Sequence, residues 1–372
     1  MGERQKVMLV FGTRPEAIKM CPLVLELKKR PELETVVCVT GQHREMLYQV
    51  LDYFKIQPDY DLDIMQPGQT LSDITVRILQ GMQNVYEMEQ PDAVLVHGDT
   101  STAFAAGLAA FYRQIPVGHV EAGLRTYQID SPFPEEFNRQ AIDSMSRWYF
   151  APTRLSEETL VREGKKPEQI YVTGNTSIDA LKTTVQEGYS HPELSWAKEN
   201  GSRFVLLTAH RRENLGEPMI HIFQGIRRVL EEHPEVRILY PIHKNPLVRE
   251  AAAKVFGKEG RLRLIEPLDV FDFHNFIAAA DLILTDSGGI QEEAPSLGKP
   301  VLVLRDTTER PEGVDAGTLK LVGTQEEDVY REFRKLLEDP EEYARMSGAS
   351  NPYGDGTASR RIADVLVREL AE

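Results

Sequence analysis

Short apolar runs that end in glycine or small polar residues alternate along the chain with longer amphipathic segments. The first run, 7–11, stops at Gly12, and the next segment opens with Pro15 and Glu16, which suit the first turn of a helix. Runs that are apolar at successive positions are typical of strands buried on both faces of a parallel sheet. The strands predicted in this way are 7–11, 35–39, 93–96, 116–120, 148–151, 170–173, 204–207, 237–240, 262–265, 282–284 and 319–322. The chain is therefore predicted to have an α/β fold.

The alternation weakens once, between 176 and 202, where the sequence becomes polar and less regular. A chain of 372 residues is also long enough to bury two cores. We therefore expect an N-terminal domain at 1–175, a second domain at 176–355 and a C-terminal helix within 356–372. Both domains are expected to be Rossmann-like and to face each other across a cleft.

Composition and charge restrict the class of partner. Lys and Arg number 43 against 58 Asp and Glu, and the resulting net charge of −15 argues against general binding to nucleic acid or to anionic membranes. The two cysteines, Cys21 and Cys38, lie in apolar or helical contexts, so neither a disulfide scaffold nor a cysteine metal site is indicated. The sequence has neither a signal-peptide core nor an apolar run of bilayer-spanning length. We expect a soluble protein of the cytoplasm.

Cofactor and metal motifs are absent from the sequence. The first strand is followed by GTRPEA rather than GxGxxG, and no GxxxxGKS/T motif occurs. No HExxH or other close spacing of histidine and carboxylate gives a clear ligand set. We therefore expect neither a cofactor nor a metal.

Acidic residues follow two of the predicted strands directly. Asp99 comes after the run 93–96 and Glu121 after the run 116–120, and small residues next to each would leave space for a ligand. Because the carboxyl ends of parallel strands meet at one edge of a sheet, these two side chains should face one site. Glu135 and Glu136, at a predicted helix start, add acids that either converge on that site or only complement the helix dipole.

A glycine-rich turn at 285–289 lies between the apolar run 282–284 and a predicted helix. Ser287 is placed to cap that helix, and Gly288 and Gly289 would leave its first N–H groups open to a phosphate. Glu292 and Glu293, one turn later, are candidates for binding a ribose diol. The same pattern also occurs at ordinary capped helices with an acidic first turn.

Cationic or titratable side chains at other strand ends and beside this turn would suit a phosphate group. They are Arg14, Lys19, His210 and Arg310. Together with the helix start they indicate a site for a nucleoside diphosphate, and the three carboxylates Asp99, Glu121 and Glu135 would face the group attached to it.

Seven segments carry a more specific signal: FGTRPEAIKM at 11–20, TGQHREML at 40–47, HGDT at 97–100, HVEAGLRT at 119–126, PEEFNR at 134–139, HRREN at 210–214 and TDSGGIQEEAPSLGKPVLVLRDTTERPE at 285–312. In sequence and in order, over nearly the full length, they closely resemble the non-hydrolysing UDP-N-acetylglucosamine 2-epimerases. The resemblance implies the glycosyltransferase-B architecture, with uracil and ribose bound near Phe273 and Glu293. It also implies a UDP-sugar substrate, a homodimer, a role in cell-surface polysaccharide biosynthesis and a C-terminal helix that crosses back to the first domain.

The chemistry of such an epimerisation restricts the mechanism. The C2 proton of an N-acetylhexosamine is not acidic, because no carbonyl adjoins that carbon, and no nicotinamide motif is present for transient oxidation. Departure of UDP from C1 would acidify this proton, and its removal would give a 2-acetamidoglucal with UDP still bound. Asp99, Glu121 and Glu135 are the candidates for removing and returning the proton, in an order that the sequence leaves open. His210 would stabilise charge on the leaving diphosphate.

Three other functions fit parts of the pattern. A retaining glycosyltransferase of this architecture would need an acceptor pocket, for which no loop is evident. A hydrolysing epimerase would release free N-acetylmannosamine. A non-catalytic sugar-nucleotide sensor would be expected to lack one or more of the carboxylates, all of which are present.

The family resemblance also implies a second site. Bacterial members bind another UDP-N-acetylglucosamine beside the active site as an activator, through a set that here corresponds to Gln42, His43, Arg211 and His243. Such members often carry Gln and Arg where this chain has Glu45 and Gly68. An acid has replaced a neutral donor and a cation is missing, so we expect weaker activator binding.

Overall fold

The computed structural model describes residues 4–41, 44–257, 259–308 and 310–371, apart from the side chain of Arg44, and it divides into two compact units. Unit 1 comprises Met1–Ala180 and Tyr353–Glu372, and unit 2 comprises Leu181–Pro352. These units divide after 180 and 352, whereas the sequence predicts domain bounds after 175 and 355. A regular helix, Thr176–Thr184, occupies the start of the segment that we expected to be irregular.

Unit 1 contains a parallel sheet, seven-stranded in the described residues, with strand order β3-β2-β1-β4-β5-β6-β7. Its strands are β1 (Gln5–Phe11), β2 (Leu33–Val39), β3 (Tyr60–Asp61), β4 (Ala93–His97), β5 (Val117–Val120), β6 (Trp148–Ala151) and β7 (Ile170–Val172). The order reverses between β1 and β4, because the chain adds strands on one side of β1 and then crosses to the other. In open α/β sheets this reversal is where ligands bind.

Helices follow most strands of unit 1: α1 (Arg14–Leu27), α2 (Arg44–Tyr53), α3 (Leu71–Glu89), α4 (Ser101–Tyr112), α5 (Glu135–Met145), α6 (Arg154–Arg162) and, across the boundary to unit 2, α7 (Thr176–Thr184). Helix α1 starts with a capping box, in which Thr13 N donates to Glu16 Oε2 at 2.8 Å and Glu16 N donates to Thr13 Oγ1 at 3.4 Å. Gly12 is required before it, because a Cβ there would lie 1.9 Å from Thr40 Oγ1.

Unit 2 repeats this plan with a parallel sheet of order β10-β9-β8-β11-β12-β13 in its described residues. Its strands are β8 (Arg203–Thr208), β9 (Val236–Pro241), β10 (Leu262–Ile265), β11 (Leu282–Thr285), β12 (Val301–Val303) and β13 (Leu319–Leu321). Its helices are α8 (Pro192–Ala197), α9 (Glu217–Glu232), α10 (Pro246–Phe256), α11 (Val270–Ala279), α12 (Gly288–Ser296), α13 (Pro311–Asp315), α14 (Glu326–Glu338) and α15 (Pro340–Ser347). The order reverses between β8 and β11.

Strand β8 shows why a central strand of these sheets is apolar at successive positions. Val205 and Leu207 pack into the core on one face of the sheet, while Phe204 and Leu206 pack into the core on the other. Helices cover both faces, so alternation of apolar and polar residues is lost. The predicted fold class, an α/β protein with two Rossmann-like domains, is confirmed.

The last helix, α16 (Ala358–Glu369), belongs to unit 1. Asp364 on this helix pairs with Arg30 of unit 1 at 2.9 Å, and Glu369 accepts a hydrogen bond from the Tyr171 hydroxyl at 2.9 Å. The chain thus returns to the first sheet after completing the second. Within the ranges described, no helix has the length and hydropathy that a membrane span requires.

Candidate active site

A pocket of about 390 Å³ lies at the reversal point of the sheet in unit 1. It is lined in part by the ends of β1, β4 and β5 and by the starts of α1 and α5. Six ionisable residues line it: Glu16, Lys19, His97, Asp99, Glu121 and Glu135. The structure therefore brings together Lys19 and the three carboxylates Asp99, Glu121 and Glu135, all four of which the sequence indicated. Arg14 is half-buried at the start of α1, beside the lining residues Thr13 and Pro15.

Glu121 is the most strongly paired carboxylate of this pocket. Its Oε2 forms a short ion pair with Lys19 Nζ, accepts a hydrogen bond from Asn175 Nδ2 at 3.1 Å and lies 3.6 Å from His97 Nε2. Burial raises the pKa of Glu121, but the charges of Lys19 and His97 outweigh it and hold the pKa well below its usual range. Glu121 is therefore a stable carboxylate.

Asp99 is held differently. Its Oδ2 accepts two hydrogen bonds from the Arg139 guanidinium, at 2.9 and 2.6 Å, and its backbone carbonyl accepts one from Asn138 Nδ2 at 2.8 Å. Among the described residues, Asp99 Oδ1 has no hydrogen-bond partner, and the side chain is 25% exposed. One oxygen is fixed while the other remains accessible to a ligand.

Glu135 and Glu136 have different environments. Glu135 lines the pocket, and its Oε2 is buried without a hydrogen-bond partner among the described residues. Glu136 is fully buried and accepts hydrogen bonds from Thr126 N at 3.0 Å and Tyr127 N at 3.1 Å. Of the two acids at this helix start, Glu136 is therefore not part of the pocket lining, because its carboxylate is occupied in fixing the loop before α5.

Glu16 and His97 also line the pocket, although the sequence analysis did not select them. Glu16 accepts hydrogen bonds from the Gly12 and Thr13 N–H groups and from Thr100 Oγ1 at 2.6 Å. Burial is the main cause of its raised pKa, which these bonds oppose. His97 could have been found, because it precedes Asp99 by two residues at the end of the same strand.

In unit 2, Asp286 organises the loop that follows β8. Its Oδ2 accepts hydrogen bonds from His210 N at 2.8 Å, Arg211 N at 2.9 Å and Asn214 Nδ2 at 3.1 Å. The His210 and His243 rings stack with centroids 5.2 Å apart. Nδ1 of His210 lies 3.8 Å from Asp286 Oδ1. Burial lowers the pKa of His210, with the charge of Asp286 opposing this shift and those of His243 and Arg211 adding to it.

The start of α12 is flanked by two guanidinium groups. A Cβ on Gly288 would lie 3.5 Å from an Arg211 side-chain nitrogen and 3.9 Å from one of Arg310, so both cations lie beside the first turn. Ser287 occupies the N-cap position, but its side chain makes no capping hydrogen bond, which corrects the expectation for this residue. The free N–H groups of this turn and the two cations form a favourable phosphate site.

The two acids after this turn also differ. Glu292 is buried and forms a short ion pair with Arg310, so the expectation that it binds a ribose is wrong. The Glu293 side chain is 15% exposed, and its carboxylate lies 3.5 Å from His274 Nε2. His274 is on α11, which also contains the half-buried Phe273. Glu293 and Phe273 thus remain the candidates for ribose and uracil.

Of the four candidate activator residues, only two can be placed. Arg211 and His243 lie in the His210 loop region described above, whereas Gln42 and His43 fall outside the described residues. In the described ranges, no group of three or more His, Cys, Asp or Glu residues has the arrangement of a metal site.

Comparison with known proteins identifies the family. A family profile described as UDP-N-acetylglucosamine 2-epimerase matches residues 25–367. The chain is 62% identical over 365 residues to the UDP-N-acetylglucosamine 2-epimerase of Bacillus subtilis (strain 168), a match that covers 98% of this chain and 96% of the relative. A solved UDP-N-acetylglucosamine 2-epimerase structure matches with a TM-score of 0.93 and 58% identity, over 100% of this chain and 98% of the other. The solved structure of the Neisseria meningitidis UDP-GlcNAc 2-epimerase bound to UDP-GlcNAc matches with a TM-score of 0.86 and 48% identity, over 98% of this chain and 100% of the other. The chain therefore belongs to the UDP-N-acetylglucosamine 2-epimerase family.

Proposed function

We propose that the protein interconverts UDP-N-acetylglucosamine and UDP-N-acetylmannosamine by inverting C2 of the sugar. Family membership supports this reaction, and the relative from Neisseria meningitidis binds UDP-GlcNAc. The observation that carries the proposal in this chain is the pocket in which Asp99, Glu121 and Glu135 meet Lys19. Three carboxylates and one cation suit a reaction in which a proton is exchanged while charge separates at the sugar.

We propose an elimination followed by a re-addition. The C1–O bond to the diphosphate breaks, with its electron pair leaving on UDP, while a carboxylate removes the C2 proton and the C1–C2 double bond forms. The proton then returns to the opposite face of C2, and UDP adds back to C1. No oxidation occurs, so the cycle needs no redox cofactor.

The environments of the carboxylates favour a division of roles. Glu121 has a strongly lowered pKa and is already paired, so it is suited to stabilise positive charge that develops at C1. Asp99 has one oxygen held by Arg139 and one available, so it is suited to proton transfer. Glu135 has a buried oxygen without a protein partner in the described residues, and we assign it to the other proton transfer.

The leaving UDP is assigned to unit 2. The first turn of α12, with the guanidinium groups of Arg211 and Arg310 beside it, would stabilise the negative charge of the departing diphosphate. His210 would add a donor once protonated, while Phe273 and Glu293 would hold uracil and ribose. Lys19 and Arg14 add positive charge in unit 1.

The test is a reaction in D2O with UDP-N-acetylglucosamine alone. UDP-N-acetylmannosamine with deuterium at C2 is the expected product, without added NAD or metal. Absence of deuterium at C2 in both epimers would rule out proton exchange. Free N-acetylmannosamine as the main product would assign the protein to the hydrolysing class, and absence of any turnover would favour a sensor.

We also propose a homodimer. Three large apolar side chains at the ends of α3 and α4 are strongly exposed: Met88 at 65%, Phe111 at 53% and Tyr112 at 72%. The two helix ends are neighbours, because Arg113 Nη1 lies 3.8 Å from Glu87 Oε2, and this surface is a candidate for contact with a second copy. Light scattering should give twice the chain mass, and Tyr112→Glu should shift it toward the monomer, while Val161→Glu on α6 should not.

A further inference from the structure

A buried histidine links the two turns that carry Asp99 and Glu121. His119, in β5, is fully buried, and both of its ring nitrogens have oxygen partners. Its Nδ1 lies 2.6 Å from Asp143 Oδ1 on α5, and its Nε2 lies 2.7 Å from the Gly98 carbonyl oxygen. Asp143 is also fully buried.

Hydrogen-bond chemistry fixes the position of one proton on the His119 ring. A carbonyl oxygen only accepts, so Nε2 of His119 must carry a hydrogen and donate it to Gly98. The other oxygen of Asp143 accepts hydrogen bonds from Arg125 Nη2 at 2.7 Å and from Gly123 N at 3.3 Å. Burial raises the pKa of Asp143, but His119 and Arg125 outweigh it and lower the pKa.

The orientation of the Gly98 carbonyl affects the backbone that leads into Asp99. Gly98 lies between His97 and Asp99 and adopts a left-handed conformation with φ of +64°. Because the peptide unit is planar, fixing the Gly98 carbonyl also fixes the direction of the Asp99 N–H and the path of the chain into Asp99. Asp143 acts in the same way on the second turn, since it holds Gly123 N, two residues after Glu121, whose own φ is +69°.

We propose that His119 is a positioning residue, which through Asp143 and the Gly98 carbonyl sets the geometry of the turns that carry Asp99 and Glu121. This inference rests on the proposed function, in which those two carboxylates act on the sugar. His119 itself does not touch the substrate. Its role is to support groups that must be held close to their reacting geometry.

Two substitutions of His119 distinguish the effect of losing the hydrogen bond to Gly98 from the effect of losing the buried imidazole ring. His119→Gln places an amide near the position of Nε2 and keeps a donor for Gly98, whereas His119→Asn reaches only the position of Nδ1 and keeps a donor for Asp143. We expect His119→Asn to lower kcat by about 10- to 100-fold with KM for UDP-N-acetylglucosamine little changed. His119→Gln should retain at least about fivefold more activity than His119→Asn at similar urea stability.

Two kinetic outcomes would overturn the proposal. If His119→Asn keeps kcat within about twofold of the wild type, the Gly98 contact does not matter for catalysis. If both variants lose the same activity at equal stability, the retained donor has no effect and the role is not positioning through Gly98.

A measurement on the wild-type protein keeps the test independent of folding and of activity. With ¹⁵N-labelled histidine, the wild type should give a proton signal on Nε2 of His119, assigned by its loss in His119→Gln. An unprotonated Nε2 of His119 would overturn the proposal directly. If instead the Nε2 proton is present and the wild type does not epimerise UDP-N-acetylglucosamine, the proposed function fails while the bond to Gly98 stands.

Discussion

At the scale of single residues, the sequence could locate the carboxylates but could not separate their roles. Asp99 and Glu121 are found because each lies within two residues of the end of an apolar strand. Their partners are distant in sequence: Lys19 is 102 residues from Glu121, and Arg139 is 40 residues from Asp99. Since a carboxylate's ionisation depends on such partners, only the folded structure distinguishes a strongly paired Glu121 from an Asp99 with one available oxygen.

Removal of either carboxylate should abolish most of the turnover. Asp99→Asn and Glu121→Gln should each lower kcat by at least about a hundredfold, the scale of a lost general acid–base or charge-stabilising group. Asp130→Asn removes an exposed acid of the same unit and serves as the control. Steady-state assays with circular dichroism for folding would check this, and near-normal activity in either variant would exclude that residue from the mechanism.

The pairing of Glu121 with Lys19 predicts a change in pH dependence. The pKa of Glu121 is depressed in the folded protein, so its carboxylate persists to acidic pH. Lys19→Met removes a main cause of that depression, so the pKa of Glu121 should rise and the acid limb of the kcat/KM profile should move to higher pH. Lys29→Met removes an exposed lysine that pairs with Glu26 and should leave the limb unchanged. An unshifted limb in Lys19→Met would mean that the ionisation of Glu121 does not limit activity.

At the scale of elements, strands with a clear apolar run are predictable, whereas elements without such a run are not. The strands expected at 148–151 and 262–265 are present as β6 and β10. Strand β3 was missed because it has only two residues, and its pairing with β2 depends on tertiary contact rather than on a local pattern. Helix α15 does have a local sequence signal: Asp339 precedes Pro340 and caps the helix by accepting hydrogen bonds from two backbone N–H groups at 3.0 Å.

Close packing of α9 against α14 gives a prediction about stability. A Cβ on Gly225 in α9 would lie 2.6 Å from the Glu326 carbonyl oxygen and 3.1 Å from Tyr330 N, and backbone atoms cannot move aside cheaply. Gly225→Ala should therefore lower the free energy of unfolding of unit 2 by about 1–3 kcal/mol, despite the better helix propensity of alanine. In the control variant Gly260→Ala the added methyl group meets no atom within 4 Å. Its free energy of unfolding should therefore stay within about 0.5 kcal/mol of the wild type. Urea titrations of the two variants compare them, and equal stability would show that the helices separate without cost.

At the scale of the whole molecule, the rhythm of strands and helices predicts two parallel sheets but not their strand order. Every strand of such a sheet has the same local pattern, and the order depends on which way each crossover runs. The order matters for function, because the reversals between β1 and β4 and between β8 and β11 create the edges at which Asp99 and Asp286 lie. The net charge of −15 likewise does not predict the local positive charge beside α12, where Arg211 and Arg310 lie.

The last prediction concerns the second UDP-N-acetylglucosamine that the family resemblance implies as an activator. Glu45 is exposed in the first turn of α2, and a Cβ on Gly68 would meet no atom within 4 Å. An acid and an absent cation at these positions disfavour a bound diphosphate, and loss of one charge-assisted contact costs about 1.5–3 kcal/mol, or at least about tenfold in affinity. Turnover that starts from highly pure UDP-N-acetylmannosamine should therefore begin without added UDP-N-acetylglucosamine. Glu45→Gln restores a neutral donor and should make the initial rate more responsive to a trace of the other epimer. A pronounced lag in the wild type, abolished by that trace, would mean that the activator site is intact and that the substitutions at 45 and 68 do not weaken it.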